Sequence, residues 1–390
     1  MHDAVMPDAL LQRIEPLLAL AARAPSSHNS QPWRLRCLPA VPPRWQDSGP
    51  WTQALAIELD PARCLRALPA LQREMLISLG GFAAILLNLL RLSAWPVKAV
   101  PAEPSQEGQE GRLLLLLGAQ PCAERVDHAG LARLNRALRL RHTERGPYLP
   151  MQGLRFHLES PDNPLPYTLD LQEPRPTLRW QALHARSARA ELAEFYARHG
   201  ARDLMHPQAW AETYAHLNFA AEQPARPVPQ GMPIERLFGP LPAWRRRLLQ
   251  LLLHPRFLRG PAGRPVTAEA GRQLRALILS SPALLYLSTP RESGTALEGW
   301  LAGEAIARLW LAAADAGQAL HPLSVALQHE DLAQGLAGLL GCRERLLFIA
   351  RAGTPAQALR QAQHHRRAPS AFCVSQRSDA SPCLPCSPSP

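Results

Sequence analysis

A chain of 390 residues that is 46% hydrophobic, 19% charged and 6% aromatic can bury one large core or two modest ones, which excludes a chain disordered throughout. Lys plus Arg exceeds Asp plus Glu by 43 − 32 = +11, nearly all of it arginine, but no basic stripe is interleaved with aromatics as a nucleic-acid platform requires. No nucleic acid is therefore expected as a partner.

Forty prolines, roughly twice the usual share, gather at 39–50, 161–176, 224–240 and 382–390, which read as joints and tails. The longest apolar run, Met75 to Leu90, is interrupted only by Ser78 and Asn88 and falls short of the roughly 20 residues of a bilayer span. It reads as a buried helix, and no membrane partner is expected. The first residues lack a basic stretch followed by an apolar one, so the cytoplasm is the expected location. Seven cysteines without a secretory signal point to free thiols, and Cys383 and Cys386 form a lone C-x-x-C that cannot complete four metal ligands. No metal site is expected.

In chain order, Leu10, Ile14, Leu17, Leu18 and Ala21 recur at helical spacing, and Pro25 ends that helix. Trp33–Leu38 and Leu55–Leu59 are short strands bounded by turn residues, and a helix follows over about 71–92. Arg112–Gly118, with five consecutive leucines, is a buried central strand by its length and flanking glycines. Leu131–Leu140 is an amphipathic helix leading into Arg141. Leu178–His199 reads as helical, with Gly200 as its stop. Gln223–Pro265 has no sustained period and reads as a lid or excursion. Strand-like residues close 277–288, a helix runs over 300–316, and Leu346–Ala350 is the last strand. Intermixed strands and helices of this kind make an α+β layered fold.

Two segments carry chemistry. Ala24-Pro25-Ser26-Ser27-His28-Asn29-Ser30-Gln31-Pro32-Trp33 is a loop dense in donors and acceptors, suited either to the polar edge of a planar heterocycle or simply to capping a helix. Arg141-His142-Thr143-Glu144-Arg145-Gly146-Pro147-Tyr148 places two guanidiniums four residues apart around a hydroxyl. It reads equally as a phosphate grip or as the solvated end of the preceding basic helix.

Together these segments resemble the flavin-loop signature and the R-x-S/T-x-R phosphate motif of the FMN-dependent nitroreductases. Further likeness to the family's divergent Acg-type branch lies in Glu74–Gly81, Gly299–Ala305, Ala316–Ser324 and Leu347–Gly353, so the resemblance spans most of 9–355. In ordinary members the arginine motif comes first and two identical subunits build each flavin site, whereas here the order is reversed and each motif occurs once. The resemblance thus implies a nitroreductase-like fold with two half-domains, an internally fused dimer. Its expected parts are an N-terminal half (1–125), a C-terminal half (126–356) with a lid at 223–265, and a disordered tail (357–390).

The same resemblance implies FMN as cofactor, held by Ser26, Ser27, Asn29 and Ser324 at the ring or ribityl chain and by Arg141, Thr143 and Arg145 at the phosphate. NAD(P)H would be the electron donor and a small aromatic or quinone-like molecule the acceptor, with the chemistry on the flavin and no catalytic side chain. The expected assembly is a monomer or loose homodimer. His28, His142, His321 and Glu304 are the titratable groups inside the matched motifs, and a lone His is more often structural than catalytic. Two other readings stay open: a flavin-sequestering protein with little turnover, and a flavin-free scaffold in a biosynthetic complex.

Overall fold

The computed structural model describes residues 6–102, 112–149, 154, 163–171, 175–220, 231–291, 296–357 and 366–374. Helix α1 (Met6–Ala21) carries Pro16 inside it and turns Leu10, Ile14 and Leu18 into the core at a four-residue spacing. Strand β1 (Trp33–Cys37) alternates buried and half-buried residues, as a strand with one covered face should. Strand β2 (Gln53–Leu59) follows, and then α2 (Pro69–Leu92), which opens on a proline where a missing N–H costs nothing.

After α2 come β3 (Val97–Pro101), β4 (Leu113–Leu117) and α3 (His128–Leu140). Asp127 caps α3, its Oδ1 accepting from the Gly130 amide at 2.9 Å. All five leucines of β4 are buried, and the strand lies between β2 and β3, so the leucine run is an interior strand. The principal elements that follow are β5 (Arg179–Leu183), α4 (Arg186–His199), α5 (Pro207–Ala215), α6 (Ala243–Leu252) and α7 (Arg264–Leu279). They continue with β6 (Ala283–Thr289), α8 (Ala296–Asp315), β7 (Ala319–Pro322), α9 (Glu330–Leu339), β8 (Arg345–Gly353) and β9 (Cys373–Val374).

Two main sheets result, with a two-stranded parallel pair of Leu217–Asn218 and Met232–Pro233 beside them, and the fold is α+β. The first has strand order β9-β1-β2-β4-β3, antiparallel except that β9 joins β1 in parallel, with Leu35 opposite Cys373. The second, β5-β6-β8-β7, is antiparallel throughout. Helix α2 packs on the first sheet and α8 on the second, and the two helices cross each other. Close approach requires glycine there: a Cβ on Gly80 would lie 2.1 Å from the Trp300 carbonyl oxygen, and one on Gly303 2.1 Å from that of Ile77.

Helix α2 is long and apolar enough to cross a membrane, but 83% of its most hydrophobic window is buried within the protein. Its one fully buried amide, Asn88, is satisfied in place: Nδ2 donates to Ala84 O and Tyr167 O at 2.8 Å, and Oδ1 accepts from the Tyr167 N–H at 2.9 Å. Those bonds tie the described part of the proline-rich joint, 163–171, to the helix.

Several expectations are corrected. Residues 179–183 are a strand rather than the start of a helix, and β8 extends to Gly353 and is not the last strand. The segment 223–265 was expected to lack a regular period; residues 221–230 lie outside the described set, but 231–265 form short helices and α6 and begin α7. Part of the expected disordered tail is ordered. Phe372 is buried and meets the Phe82 ring edge-on at 6.0 Å, while Phe82 stacks on Trp33 at 4.8 Å. That aromatic anchor fixes β9 in spite of the polar composition around it. Cys383 and Cys386 lie outside the described residues, while the five described cysteines are free.

Candidate functional site

A cavity of about 970 Å³ receives all seven expected site residues: Ser26, Ser27, Asn29, Arg141, Thr143, Arg145 and Ser324. Segments more than a hundred residues apart in sequence therefore meet around one space. The size is at the upper end for small-molecule and cofactor sites.

The polar edge is the loop between α1 and β1. His28, Asn29 and Gln31 all have φ between 51° and 54°, in the left-handed region that non-glycine residues enter at a cost of about 1–2 kcal/mol each. Side chains from distant segments hold them there. Asn29 donates through Nδ2 to Gly231 O at 3.0 Å and accepts at Oδ1 from Arg366 Nη1 at 2.6 Å. Gln31 accepts at Oε1 from the Arg367 amide at 2.9 Å. Ser27 Oγ donates to Glu74 Oε2 at 2.5 Å, and Gln328 Nε2 donates to Glu74 Oε1 at 2.8 Å. Burial pushes the Glu74 carboxyl upward, and the two hydrogen bonds only partly offset it.

A cationic part of the lining adjoins this loop. Arg141 is buried, lies over the Trp310 ring at 5.2 Å and donates to Arg23 O at 3.0 Å. Trp310 is itself fixed by donating to His142 O at 3.2 Å. Burial holds Arg141 down to about 10, helped by the Arg23 charge, and burial holds Arg145 at about 10 against the pull of Glu144. Arg366 lines the same cavity, and burial with the charges of Arg141 and Arg23 depresses it strongly. Like charges drawn together out of water favour an anion among them.

Arg351, fully buried, holds the arginine motif in place. Its Nη2 donates to Glu144 O at 3.0 Å and Gly146 O at 3.1 Å, its Nη1 to Leu277 O at 3.0 Å and Ser281 Oγ at 3.3 Å, and its Nε to His321 Nδ1 at 3.1 Å. Thr143 bridges Leu320, and the Glu144 amide donates to Leu320 O at 3.0 Å, so the motif runs beside β7. Accepting from Arg351 fixes His321 as the neutral tautomer with its proton on Nε2, and burial with two nearby guanidiniums keeps its pKa well below the usual value. His28 is likewise neutral, held at about 4 by burial and by His216.

The remaining wall is apolar, from Ile77, Ile306 and Leu347, and is completed by Met232, Pro233 and Leu237 of the expected lid. Ser324 begins the helical turn after β7, and its neighbour Leu323 is anchored through its carbonyl by the Tyr196 hydroxyl at 2.7 Å. Arg366, Trp310 and Met232 were not singled out from the sequence; for Arg366 the available signal was the apolar run Ala371–Val374 just after Pro369.

Glu304 does not line the cavity. It is buried on α8, accepts from the Leu169 amide at 3.1 Å and is raised by burial to about 7, with Arg175 only partly opposing. An unfolded chain releases this proton near the ordinary value of 4.5, so between about pH 4.5 and 7 the folded state binds more protons, and stability falls as pH rises. Unfolding free energies from urea titrations at the two ends of that window should differ by up to about 3 kcal/mol, and Glu304→Gln should flatten the slope, leaving the part contributed by Glu74.

No family model matches the chain. Along 354 residues, 90% of each sequence, it is 29% identical to the curated "Probable NAD(P)H nitroreductase PigM" of Serratia sp. (strain ATCC 39006). The chain is thus similar, over most of its length, to a probable nitroreductase. Among solved structures it aligns with the FMN-dependent nitroreductase NfnB from Mycobacterium smegmatis in complex with NADPH, over 60% of this chain and 94% of that one. With 17% identity and a TM-score of 0.34, that likeness is too slight to bear on function. The likeness to PigM, by contrast, covers nine-tenths of this chain.

Proposed function

We propose that this protein is an FMN-dependent oxidoreductase that passes electrons from NAD(P)H to a small aromatic or quinone-like acceptor. The observation that carries the reading is one cavity lined both by the polar loop and by Arg141, Arg145 and Arg366. His28 Nδ1, buried at the cavity wall without a hydrogen-bond partner among the described residues, fits a ligand that brings polar atoms to this loop. The name of the relative PigM supports NAD(P)H as donor.

Bound here, FMN would supply the reversible two-electron chemistry. The guanidiniums of Arg141, Arg145 and Arg366 and the Thr143 hydroxyl bind the phosphate. Ser26, Ser27, Asn29 and Ser324 orient the ring and ribityl chain, with Glu74 and Gln328 setting the direction of the Ser27 hydroxyl. Ile77, Ile306 and Leu347 exclude water, and no protein acid is needed.

The two sheets, each backed by one of the crossing helices α2 and α8, support the reading of two half-domains fused into one chain with one flavin. The expected monomer or loose homodimer and the cytoplasmic location stay part of this proposal. A sequestering protein is the second reading, favoured by Met232 and Leu237 of the expected lid lining the cavity.

Purified protein incubated with FMN and desalted should stay yellow and bleach under anaerobic NADPH. Yellow protein that does not bleach favours sequestration, and colourless protein overturns both readings. Arg141→Ala with Arg145→Ala removes two charge-assisted grips of about 1.5–3 kcal/mol each, so FMN affinity should fall at least ~100-fold. Equilibrium titration of flavin fluorescence measures it.

A further inference from the structure

We infer that α6 is a docking face for the surface of an anionic lipid bilayer. A surface helix ordinarily turns its apolar stripe inward, and α6 does this with Leu249, which packs with Leu253 just beyond the helix against Trp210 and Leu258. It also carries a second apolar stripe facing solvent: Trp244, Leu248 and Leu251 are 61%, 45% and 67% exposed. At 3.6 residues per turn these three fall within an arc of about 60°. Phe238, 47% exposed, precedes them.

Charge selects the occupant. From 231 to 265 the chain holds seven arginines and one acidic residue, Glu235, giving 7 − 1 = +6, and Glu235 is occupied by Arg246 at 2.9 Å. Arg245 and Arg247 are exposed and flank the apolar stripe, with the Arg245 guanidinium over the Trp244 ring at 5.1 Å. A tryptophan and leucines bordered by arginines match the two parts of an interfacial helix, one for the acyl boundary and one for anionic headgroups. A second copy of this face would bring two strongly positive segments together, which disfavours self-association.

Docking on a surface needs one exposed apolar face and no spanning segment, so this proposal replaces the expectation of no membrane partner. Residues 238–242 join α6 to Leu237 of the cavity wall, so docking would set the bilayer beside a segment that lines the site. Apolar acceptors dissolved in a membrane are the ligand class this arrangement would serve.

The test is sedimentation of the full-length protein with vesicles of equal parts phosphatidylcholine and phosphatidylglycerol, and with phosphatidylcholine alone. Binding is expected to the first and not the second, and to weaken with salt. The variant Trp244→Ser, Leu248→Ser, Leu251→Ser should lose at least about 100-fold in partitioning while keeping its circular dichroism and flavin content. Arg245→Gln with Arg247→Gln should weaken binding and reduce its salt dependence. Failure of the wild type to bind anionic vesicles, or equal binding by the serine variant, overturns the proposal. So does a wild-type dimer in gel filtration that the serine variant converts to monomer, which would make the face a subunit contact.

Discussion

Gly303→Ala is expected to leave the protein largely unfolded at temperatures where the wild type is stable. The added Cβ would meet the Ile77 carbonyl oxygen at 2.1 Å, the Gly81 nitrogen at 2.6 Å and the Gly80 Cα at 2.8 Å, all of them backbone atoms that no rotamer change can move aside. Relief requires α2 and α8 to separate, and each carries the core of one sheet, so the cost should reach or exceed about 3 kcal/mol. Gly81→Ala is the control. Its Cβ would approach nothing closer than 3.4 Å, and the gain of about 1 kcal/mol in helix propensity should leave stability unchanged or slightly higher. Thermal denaturation of the two variants side by side distinguishes a clash at the crossing from a general sensitivity of these helices.

Arg351→Met should carry the second-largest effect, on stability and ligand retention together. The side chain is fully buried, spends its donors on three carbonyls, a hydroxyl and an imidazole, and lies over the Tyr148 ring at 4.8 Å. Methionine fills much of the volume and satisfies none of those acceptors, so a loss of about 3 kcal/mol or more is expected. Because Glu144 O and Gly146 O are among them, Arg141–Gly146 would lose its anchor to β8. Flavin affinity should then fall even under conditions where the variant stays folded, as fluorescence titration at low temperature would show. Arg351→Lys, with three donors and no planar fork, should recover only part of either loss.

The candidate site was legible where unusual residues concentrate in a short span. Ser26–Asn29 and Arg141–Arg145 stood out as dense runs of donors and cations, and the structure brings them to one cavity. The leucine run 113–117 was legible because its length rules out a helix of useful size. By contrast, β5 was hidden because Arg179–Leu183 is an edge strand, mostly exposed, without the alternation that marks a half-buried strand. Arg351 was inconspicuous because a lone arginine among Leu, Phe, Ile and Ala on a strand reveals its five partners only in three dimensions. Arg366 was misplaced for a compositional reason. The polar residues around it cannot bury much surface, and the single aromatic Phe372 that anchors the segment depends on Phe82, 290 positions earlier.

That anchored segment has a consequence for how the molecule is made. Translation reaches residues 366–374 after every other described part, yet Arg366 and Arg367 brace the loop at 26–31, among the first to be made. A nascent chain halted shortly before them would contain both sheets' inner strands and the crossing helices but would lack the last brace of its own pocket. If the pocket holds a flavin, as proposed, a retained ligand would mark a chain whose synthesis has run past residue 374.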